Sequence, residues 1–266
     1  MIGTLANKKG GAGKSTNTVH LAACLASMGY KTLVVDFDEQ CDITHGVGIK
    51  TNDDDYNIIN FLENSGEFRL KAKSENFYIL PGSTDFISLF YPVDALKKAL
   101  YRKRDNGLSI ADFMDFIFID VPPSKIIPQN KRKMKIYTEM EIALFTSDFF
   151  LIPLTAEEFA VKNCNQFLSK AIGFIQDFNL SIQFLGFFFG KILLTSNSYE
   201  HYSSLFLKNN KEMLFKSFVR QDAQVEKATQ NGKTIFQFNP NSRAALDYYD
   251  LTAEFLKTLN YGKEKI

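Results

Sequence analysis

The stretch Lys8-Lys9-Gly10-Gly11-Ala12-Gly13-Lys14-Ser15-Thr16 decides the fold of this chain. It follows a short apolar run at residues 2–6 and precedes residues 15–28, which have helical spacing and are closed by Gly29. Small residues between a strand and a helix let backbone N–H groups turn toward phosphate oxygens, and the helix N-terminus adds partial positive charge. The order strand, glycine loop, helix therefore predicts a phosphate-binding site.

Apolar runs of strand length recur along the chain and are bounded by turn residues. They lie at residues 32–35, 78–80, 116–119, 149–152 and 184–194. Runs that are apolar on both faces are typical of buried parallel strands. Helical stretches lie between them, and residues 159–178 and 242–259 have amphipathic spacing, the second with Ser242 as a cap. The alternation predicts an α/β fold with a doubly wound, mainly parallel twisted sheet, in a single domain of 266 residues.

Composition excludes several classes of protein. Lys and Arg number 31 against 30 Asp and Glu, and a net charge of +1 gives no bulk attraction to nucleic acid or anionic lipid. The apolar runs are far shorter than the ~20 residues that span a bilayer, and the start lacks a secretory signal, so we expect a cytoplasmic protein. Cys24, Cys41 and Cys164 are far apart, which argues against a disulfide framework, a zinc site or an iron–sulfur site.

Residue types in the glycine loop indicate their roles. Lys14 is placed to bridge the β- and γ-phosphates of a nucleotide, and the Ser15 hydroxyl to bind Mg²⁺. The residues assigned to the nucleotide are Lys9, Gly10, Gly11, Ala12, Gly13, Lys14, Ser15 and Thr16. The usual pattern G-x-x-x-x-G-K-[ST] fails, because Lys8 stands where its first glycine belongs.

The loop instead resembles the deviant Walker A loop, K-G-G-x-G-K-[ST]-[ST], of the ParA/MinD group of P-loop ATPases. Residues 33–40, with Asp36-Phe37-Asp38-Glu39-Gln40, resemble that group's strand followed by D-x-D-P-Q. Residues 118–123, with Asp120-Val121-Pro122-Pro123, resemble its Walker B strand with D-x-P-P. The segment from Glu226 to Tyr248 is similar to the closing segment of ParA proteins, so the resemblance covers almost the whole chain. It is weakest at residues 53–112 and 125–139.

Strand position and the resemblance together assign roles to three carboxylates. Each follows a strand, and the carboxyl ends of parallel strands share one edge, so Asp36, Asp38 and Asp120 can converge on one Mg²⁺–triphosphate. The resemblance implies that Asp38 orients the attacking water, that Asp120 holds Mg²⁺ through water, and that Asp36 supports that shell. It makes Ser15, Asp36 and Asp120 the metal residues.

The resemblance also implies a nucleotide-sandwich dimer that binds ATP and Mg²⁺. Lys9 reaches across its interface to the partner's phosphates, so that Lys9, Lys14 and Asp38 form the catalytic set. The loop that carries Asn239 and Pro240 contacts the adenine ring.

Two segments depart from the family pattern. Glu39, Cys41 and Asp42 replace the usual Pro, Gly and Asn after the second switch-one Asp, which adds negative charge and removes backbone freedom beside the γ-phosphate. The hydrolysis rate is therefore in doubt. Residues 124–137 look longer and more basic than the family's loop, with Lys-Arg-Lys-Met-Lys at 131–135. This segment is either a solvated insertion or a contact with DNA or a partner.

The leading hypothesis is a ParA-type ATPase for plasmid or chromosome segregation. ATP drives dimerisation, the dimer binds DNA without sequence preference, and a centromere-bound, ParB-like adaptor stimulates hydrolysis and release. The residues expected to bind DNA are Lys208, Lys211, Lys216 and Arg220. Because the chain begins directly with its first strand, we expect no amino-terminal DNA-binding extension and no operator-specific repression.

Three other functions stay open. A MinD-like, membrane-associated cell-division ATPase requires a terminal amphipathic helix, whereas residues 256–266 are short and broken by Gly262, so we expect no stable membrane association. An iron–sulfur carrier or nitrogenase-type reductase requires paired cysteines at the dimer interface, and the cysteines of this chain are poorly placed for that. A nucleotide-switch scaffold with negligible turnover is compatible with the altered residues after Asp38.

Overall fold

The computed structural model of the chain describes residues 1–52, 55–132, 134–194 and 197–261. Its strands are β1 (Ile2–Leu5), β2 (Thr32–Asp36), β3 (Lys71–Ser74), β4 (Phe77–Leu80), β5 (Phe116–Asp120), β6 (Phe149–Leu154) and β7 (Gln183–Phe189). Its helices are α1 (Lys14–Ser27), α2 (Asp42–Gly46), α3 (Ile58–Glu63), α4 (Ala95–Leu100), α5 (Ile110–Phe113), α6 (Glu139–Thr146), α7 (Glu158–Asp177), α8 (Ser198–Asn210), α9 (Ala223–Gln230), α10 (Ile235–Phe238) and α11 (Arg243–Thr258).

The strands form a seven-stranded sheet in the order β3-β4-β2-β5-β1-β6-β7. Its strand pairs are parallel except for β3 with β4, which is antiparallel. Helices α1, α2, α9, α10 and α11 pack an apolar core on one face, and α3 to α8 pack a second core on the other. The predicted doubly wound, mainly parallel α/β fold is confirmed.

The differences from the predicted elements have physical reasons. β3 was not predicted, because its sequence Lys-Ala-Lys-Ser alternates between exposed and half-buried positions and lacks an apolar run. The last predicted strand, 184–194, ends at Phe189. Ser242 caps α11 as expected, since its side chain accepts a hydrogen bond from the Ala245 backbone N–H.

The order and register of the central strands determine which residues meet at one edge of the sheet. β5 lies between β1 and β2, and Asp36 at the end of β2 is the register partner of Asp120 at the end of β5. β1 runs parallel beside β5, so the loop that follows β1 begins at the same edge of the sheet. This edge therefore collects the glycine loop and both aspartates.

Candidate functional site

The glycine loop joins β1 to α1 with two residues in left-handed conformation. Gly11 has φ 73° and Gly13 has φ 79°, and a Cβ on Gly13 would lie 2.9 Å from Asn17 Nδ2. Both positions therefore favour glycine. Asn7 fixes the start of the loop, because its Oδ1 accepts a hydrogen bond from the Lys9 N–H at 2.9 Å and its Nδ2 donates to the Pro153 carbonyl at 2.8 Å. The loop leads directly into the N-terminus of α1, as an anion site requires.

Lys14 is a buried cation at the first residue of α1. Its ammonium forms no hydrogen bond or ion pair with any residue that the structure describes. Burial lowers its pKa, and the charges of Asp120 and Asp38 oppose this only through space. A buried charge without a direct partner is unfavourable, so the position suits an anionic ligand.

Asp120 is fully buried beside this lysine. Burial raises its pKa well above the usual value, the Asp36 charge raises it further, and Ser15 and Lys14 oppose the rise. Neither carboxylate oxygen has a hydrogen bond within normal limits to a described group. Among the described residues, Asp120 is therefore a second buried group that lacks a direct partner.

Asp36 is held at one oxygen. Burial raises its pKa to about 6. Its Oδ2 accepts hydrogen bonds from the Thr44 N–H at 2.8 Å and the Thr44 hydroxyl at 2.6 Å, whereas Oδ1 has no partner among the described groups. The free oxygen lies at the same sheet edge as Asp120.

Asp38 follows on the loop between β2 and α2. Burial is the main cause that raises the pKa of Asp38, and the nearby Asp42 carboxylate raises that pKa further. The Gln40 N–H lowers the pKa, because it donates a 3.0 Å hydrogen bond to Asp38 Oδ1. Cys41 has φ 53°, a left-handed conformation that favours glycine, and its N–H donates to the Asp38 carbonyl at 3.0 Å. The non-glycine residue at 41 thus adds strain to the loop that carries Asp38.

The donors at this edge fit Mg²⁺ better than a softer metal. Carboxylate and hydroxyl oxygens from Asp36, Asp120 and Ser15 are the hard ligands that Mg²⁺ prefers. Within the described ranges no group of three or more His, Cys, Asp or Glu side chains is arranged to hold a metal.

Lys9 points back to its own chain. Its Nζ contacts the Glu157 carboxylate and lies 3.3 Å from Thr155 Oγ1, both in the segment between β6 and α7. The predicted reach of Lys9 to a second subunit requires it to leave these contacts, and it stays a prediction.

A cavity of about 530 Å³ opens beside the end of the glycine loop. Its lining residues include Thr16, Asn17, Lys191, Arg220, Gln221, Asp222 and Tyr248. Asn17 is fixed there, since the Tyr248 hydroxyl donates to its Oδ1 at 2.9 Å. The volume is in the range of small-molecule sites. Asn239 and Pro240 are not among the described lining residues, and their contact with adenine stays a prediction.

The four residues predicted to bind DNA do not share one environment. Lys208, Lys211 and Lys216 are exposed. Arg220 instead forms an ion pair with Asp247, with Nη2 to Oδ1 at 2.6 Å and Nε to Oδ2 at 2.9 Å. This pair raises the pKa of Arg220. A structural role thus accounts for the Arg220 guanidinium.

The basic segment 131–135 is partly anchored. Arg132 forms a buried ion pair with Glu141 at 2.5 Å, and its Nη2 donates to the Ile127 carbonyl at 3.0 Å. Lys131 and Lys135 are exposed, and residue 133 lies outside the described residues. Arg132 is therefore bound within the chain, and Lys131 and Lys135 are the exposed cations among the described residues of this segment.

Two residues of the site were missed from the sequence. Thr44 hydrogen-bonds to Asp36, and Gly82, in the turn after β4, packs against the same carboxylate. The available signal was the pair Pro81-Gly82 directly after a predicted strand, at the edge where parallel strands place their ligands.

Two further observations bear on the other function classes. The three cysteines are buried, and no disulfide joins any two of them. Among the described helices, none is both long and apolar enough to cross a membrane.

The chain is similar to known proteins over most of its length. A family model described as an AAA domain (AAA_31) matches residues 1–184. The sporulation initiation inhibitor protein Soj of Bacillus subtilis is 28% identical and aligns over 94% of this chain and 96% of its own length. The chromosome-partitioning ATPase Soj of Thermus thermophilus is 27% identical and aligns over 95% of this chain and 94% of its own length.

Solved structures show the same fold. A plasmid partition protein of Borrelia burgdorferi bound to AMPPNP has a TM-score of 0.72 at 23% identity and covers 96% of this chain and 98% of its own. The septum site-determining protein MinD of Pyrococcus horikoshii with Mg-ADP has a TM-score of 0.72 at 21% identity and covers 100% of this chain and 98% of its own. The chain therefore belongs to the ParA/MinD family of P-loop ATPases and is Soj-like.

Proposed function

We propose that this chain is a ParA-type ATPase for DNA segregation, with ATP and Mg²⁺ as its cofactors. The observation that carries the proposal is the buried Lys14 ammonium at the N-terminus of α1, which has no direct partner among the described residues and lies near Asp120, whose carboxylate oxygens have none there either. The phosphates of a nucleoside triphosphate would give the Lys14 ammonium a partner of opposite charge. Mg²⁺ would do the same for the aspartate carboxylates. The similarity to a chromosome-partitioning ATPase supports DNA segregation as the function.

The mechanism uses groups of this chain. Backbone N–H groups of residues 10–16 and the Lys14 ammonium hold the β- and γ-phosphates. When bound, Mg²⁺ neutralises charge on the phosphate oxygens, and Ser15, Asp36 and Asp120 hold it directly or through water. Asp38 orients the attacking water and accepts its proton.

The dimer is the second part of the proposal. Lys9 leaves Glu157 and neutralises phosphate charge in the other subunit, as an arginine finger does. Dimers bind DNA without sequence preference, through Lys208, Lys211 and Lys216, and a ParB-like adaptor stimulates hydrolysis. The protein then lies in the cytoplasm and on the nucleoid when ATP is bound.

The experiment that tests this function measures phosphate release with and without DNA, together with light scattering during gel filtration. We expect ATP to convert a monomer into a dimer, and Asp38→Ala to accumulate that dimer because it stops hydrolysis. Lys9→Ala should bind ATP as a monomer. Normal dimerisation of Lys9→Ala with ATP would contradict the sandwich arrangement.

A nucleotide-switch scaffold with negligible turnover is the second candidate. Cys41 holds a left-handed conformation next to Asp38, and the nearby Asp42 carboxylate raises the pKa of Asp38. Both features disturb the position and charge of the residue that activates water. ATP-dependent dimerisation without phosphate release, with or without DNA, would support this candidate over the first.

A further inference from the structure

A chain of hydrogen bonds ties the end of β2 to the turn after β4. The Gly82 N–H donates to Thr44 Oγ1 at 3.0 Å. Thr44 in turn donates to Asp36 Oδ2 from its hydroxyl at 2.6 Å and from its backbone N–H at 2.8 Å. All three residues are buried, so water does not compete for these bonds.

The direction of the chain follows from the number of protons. A threonine hydroxyl has one proton, and because this hydroxyl accepts from Gly82, its proton points to Asp36. Asp36 Oδ2 therefore accepts two hydrogen bonds, and Oδ1 accepts none from the described groups. One oxygen of the carboxylate is fixed, and the other is left for a ligand.

Gly82 also controls the loop that follows β2. A Cβ at this position would lie 2.9 Å from Cys41 Sγ, 3.1 Å from Asp36 Cγ and 3.2 Å from the Asp38 carbonyl oxygen. Two of these contacts are with the residues assigned to Mg²⁺ and to the attacking water. Any side chain at residue 82 must displace the end of β2 or the Asp38 loop.

We propose that Thr44 and Gly82 are positioning residues for the nucleotide site. Thr44 orients Asp36 so that its free oxygen faces the Mg²⁺ shell, and Gly82 orients the Thr44 hydroxyl and leaves room for the Asp38 loop. The inference rests on the proposed function and deepens it, because it adds two residues to the same site. Both act through Asp36 and Asp38.

The first test separates orientation from stability. Thr44→Val removes the hydroxyl and keeps the volume, Thr44→Ser keeps the hydroxyl, and Thr146→Val removes a buried hydroxyl that bonds only within α6. The affinity of each variant for a fluorescent ATP analogue is measured as Mg²⁺ is titrated. We expect Thr44→Val to need about tenfold more Mg²⁺, as loss of outer-shell ligand support does, with unchanged affinity in EDTA. Thr44→Ser and Thr146→Val should behave as wild type.

The second test adds a Cβ at residue 82, where the chain has glycine. Gly82→Ala should lower kcat for ATP hydrolysis about tenfold or more and change the KM by less, because it displaces Asp38 and leaves the glycine loop intact. Gly173→Ala is the matched control, since a Cβ there meets no atom within 4 Å. Thermal melting of every variant reports whether the fold is intact.

Several outcomes would overturn the inference. One is a Mg²⁺ requirement of Thr44→Val equal to that of wild type, and another is the same shift in Thr146→Val. Equal kcat for Gly82→Ala and Gly173→Ala would remove the role of Gly82. A wild-type protein that binds no ATP analogue at any Mg²⁺ concentration would instead overturn the proposed function itself, and the inference with it.

Discussion

Lys14, at the start of α1, and Arg220, in the segment before α9, are two cations whose surroundings differ in kind. Lys14 is buried, has no direct partner among the described groups, and has a pKa that burial lowers. Arg220 is 27% exposed in its side chain, is bonded to Asp247, and has a pKa that the pair raises. A buried cation without a partner among the described groups is suited to bind an anionic ligand. A cation that is already paired within the chain stabilises the fold.

The largest expected effect is the loss of ATP affinity when Lys14, the unpaired cation of this comparison, is removed. Lys14→Ala should weaken ATP binding about 100-fold, since hydrogen bonds to charged groups contribute up to about 3 kcal/mol. The melting temperature should stay the same or rise, because the variant no longer buries an unpaired charge. Fluorescence titration and thermal melting measure both, with exposed Lys208→Ala as the control. Unchanged ATP affinity would refute the assignment of the phosphate loop.

The second prediction extends the comparison to another poorly partnered group on α1. His20 is fully buried, and burial lowers its pKa to about 4 from 6.5, although its Nδ1 lies 2.8 Å from the Thr16 carbonyl oxygen. The unfolded chain therefore takes up a proton as the pH falls below about 6.5, while the folded chain resists until about 4.

Stability should fall as the pH falls through this window. Between pH 7 and pH 5 the contribution of His20 is a loss of about 2 kcal/mol. Urea unfolding of wild type, His20→Phe and exposed His201→Phe at both pH values measures it. His20→Phe should lose that part of the pH dependence and His201→Phe should retain it. An identical pH dependence in all three proteins would show that His20 is protonated equally in both states.

The third prediction concerns the paired cation. Arg220→Ala leaves the nearly buried Asp247 carboxylate without its guanidinium partner, and should destabilise the fold by about 1.5 kcal/mol, or a few degrees in melting temperature. Calorimetry of Arg220→Ala beside Lys216→Ala tests this, since Lys216 is exposed. If Arg220→Ala melts as wild type but loses DNA binding, Arg220 belongs with the functional cations.

The smallest expected effect concerns the exposed lysines. Lys208→Ala combined with Lys211→Ala should leave stability unchanged and make the salt dependence of DNA binding shallower, by about one for each phosphate that these lysines neutralise in each subunit. Filter binding to random duplexes over a salt series, with and without ATP, measures this slope. A slope equal to that of wild type would show that other residues bind DNA, with Lys131 and Lys135 as the next candidates.

The sequence predicted the elements that carry a local signal. The strand, loop and helix at residues 2–28 follow from apolar runs and glycines, and six of the seven strands follow from apolar runs. β3 has no such run, because it lies at the sheet edge. Whether residues 1–266 fold as a single domain stays a prediction.

Contacts between distant residues could not be predicted in the same way. Asp247 is 27 positions from Arg220, and Thr44 is 38 positions from Gly82. Only the folded chain brings these groups together, so the ion pair between Arg220 and Asp247 could not be read from the sequence, and DNA binding by Arg220 stays a prediction. The assignment of Asp36 rested on position alone, and its hydrogen bonds define which of its oxygens is free.

The edge strand β3 has a consequence for solution behaviour. It is four residues long, is irregular in its pairing with β4, and carries Lys71 and Lys73. Short, charged and irregular edges disfavour the addition of a strand from another molecule. This end of the sheet is thereby protected against aggregation, and replacement of both lysines by isoleucine would create an adhesive edge of the kind that forms cross-β contacts.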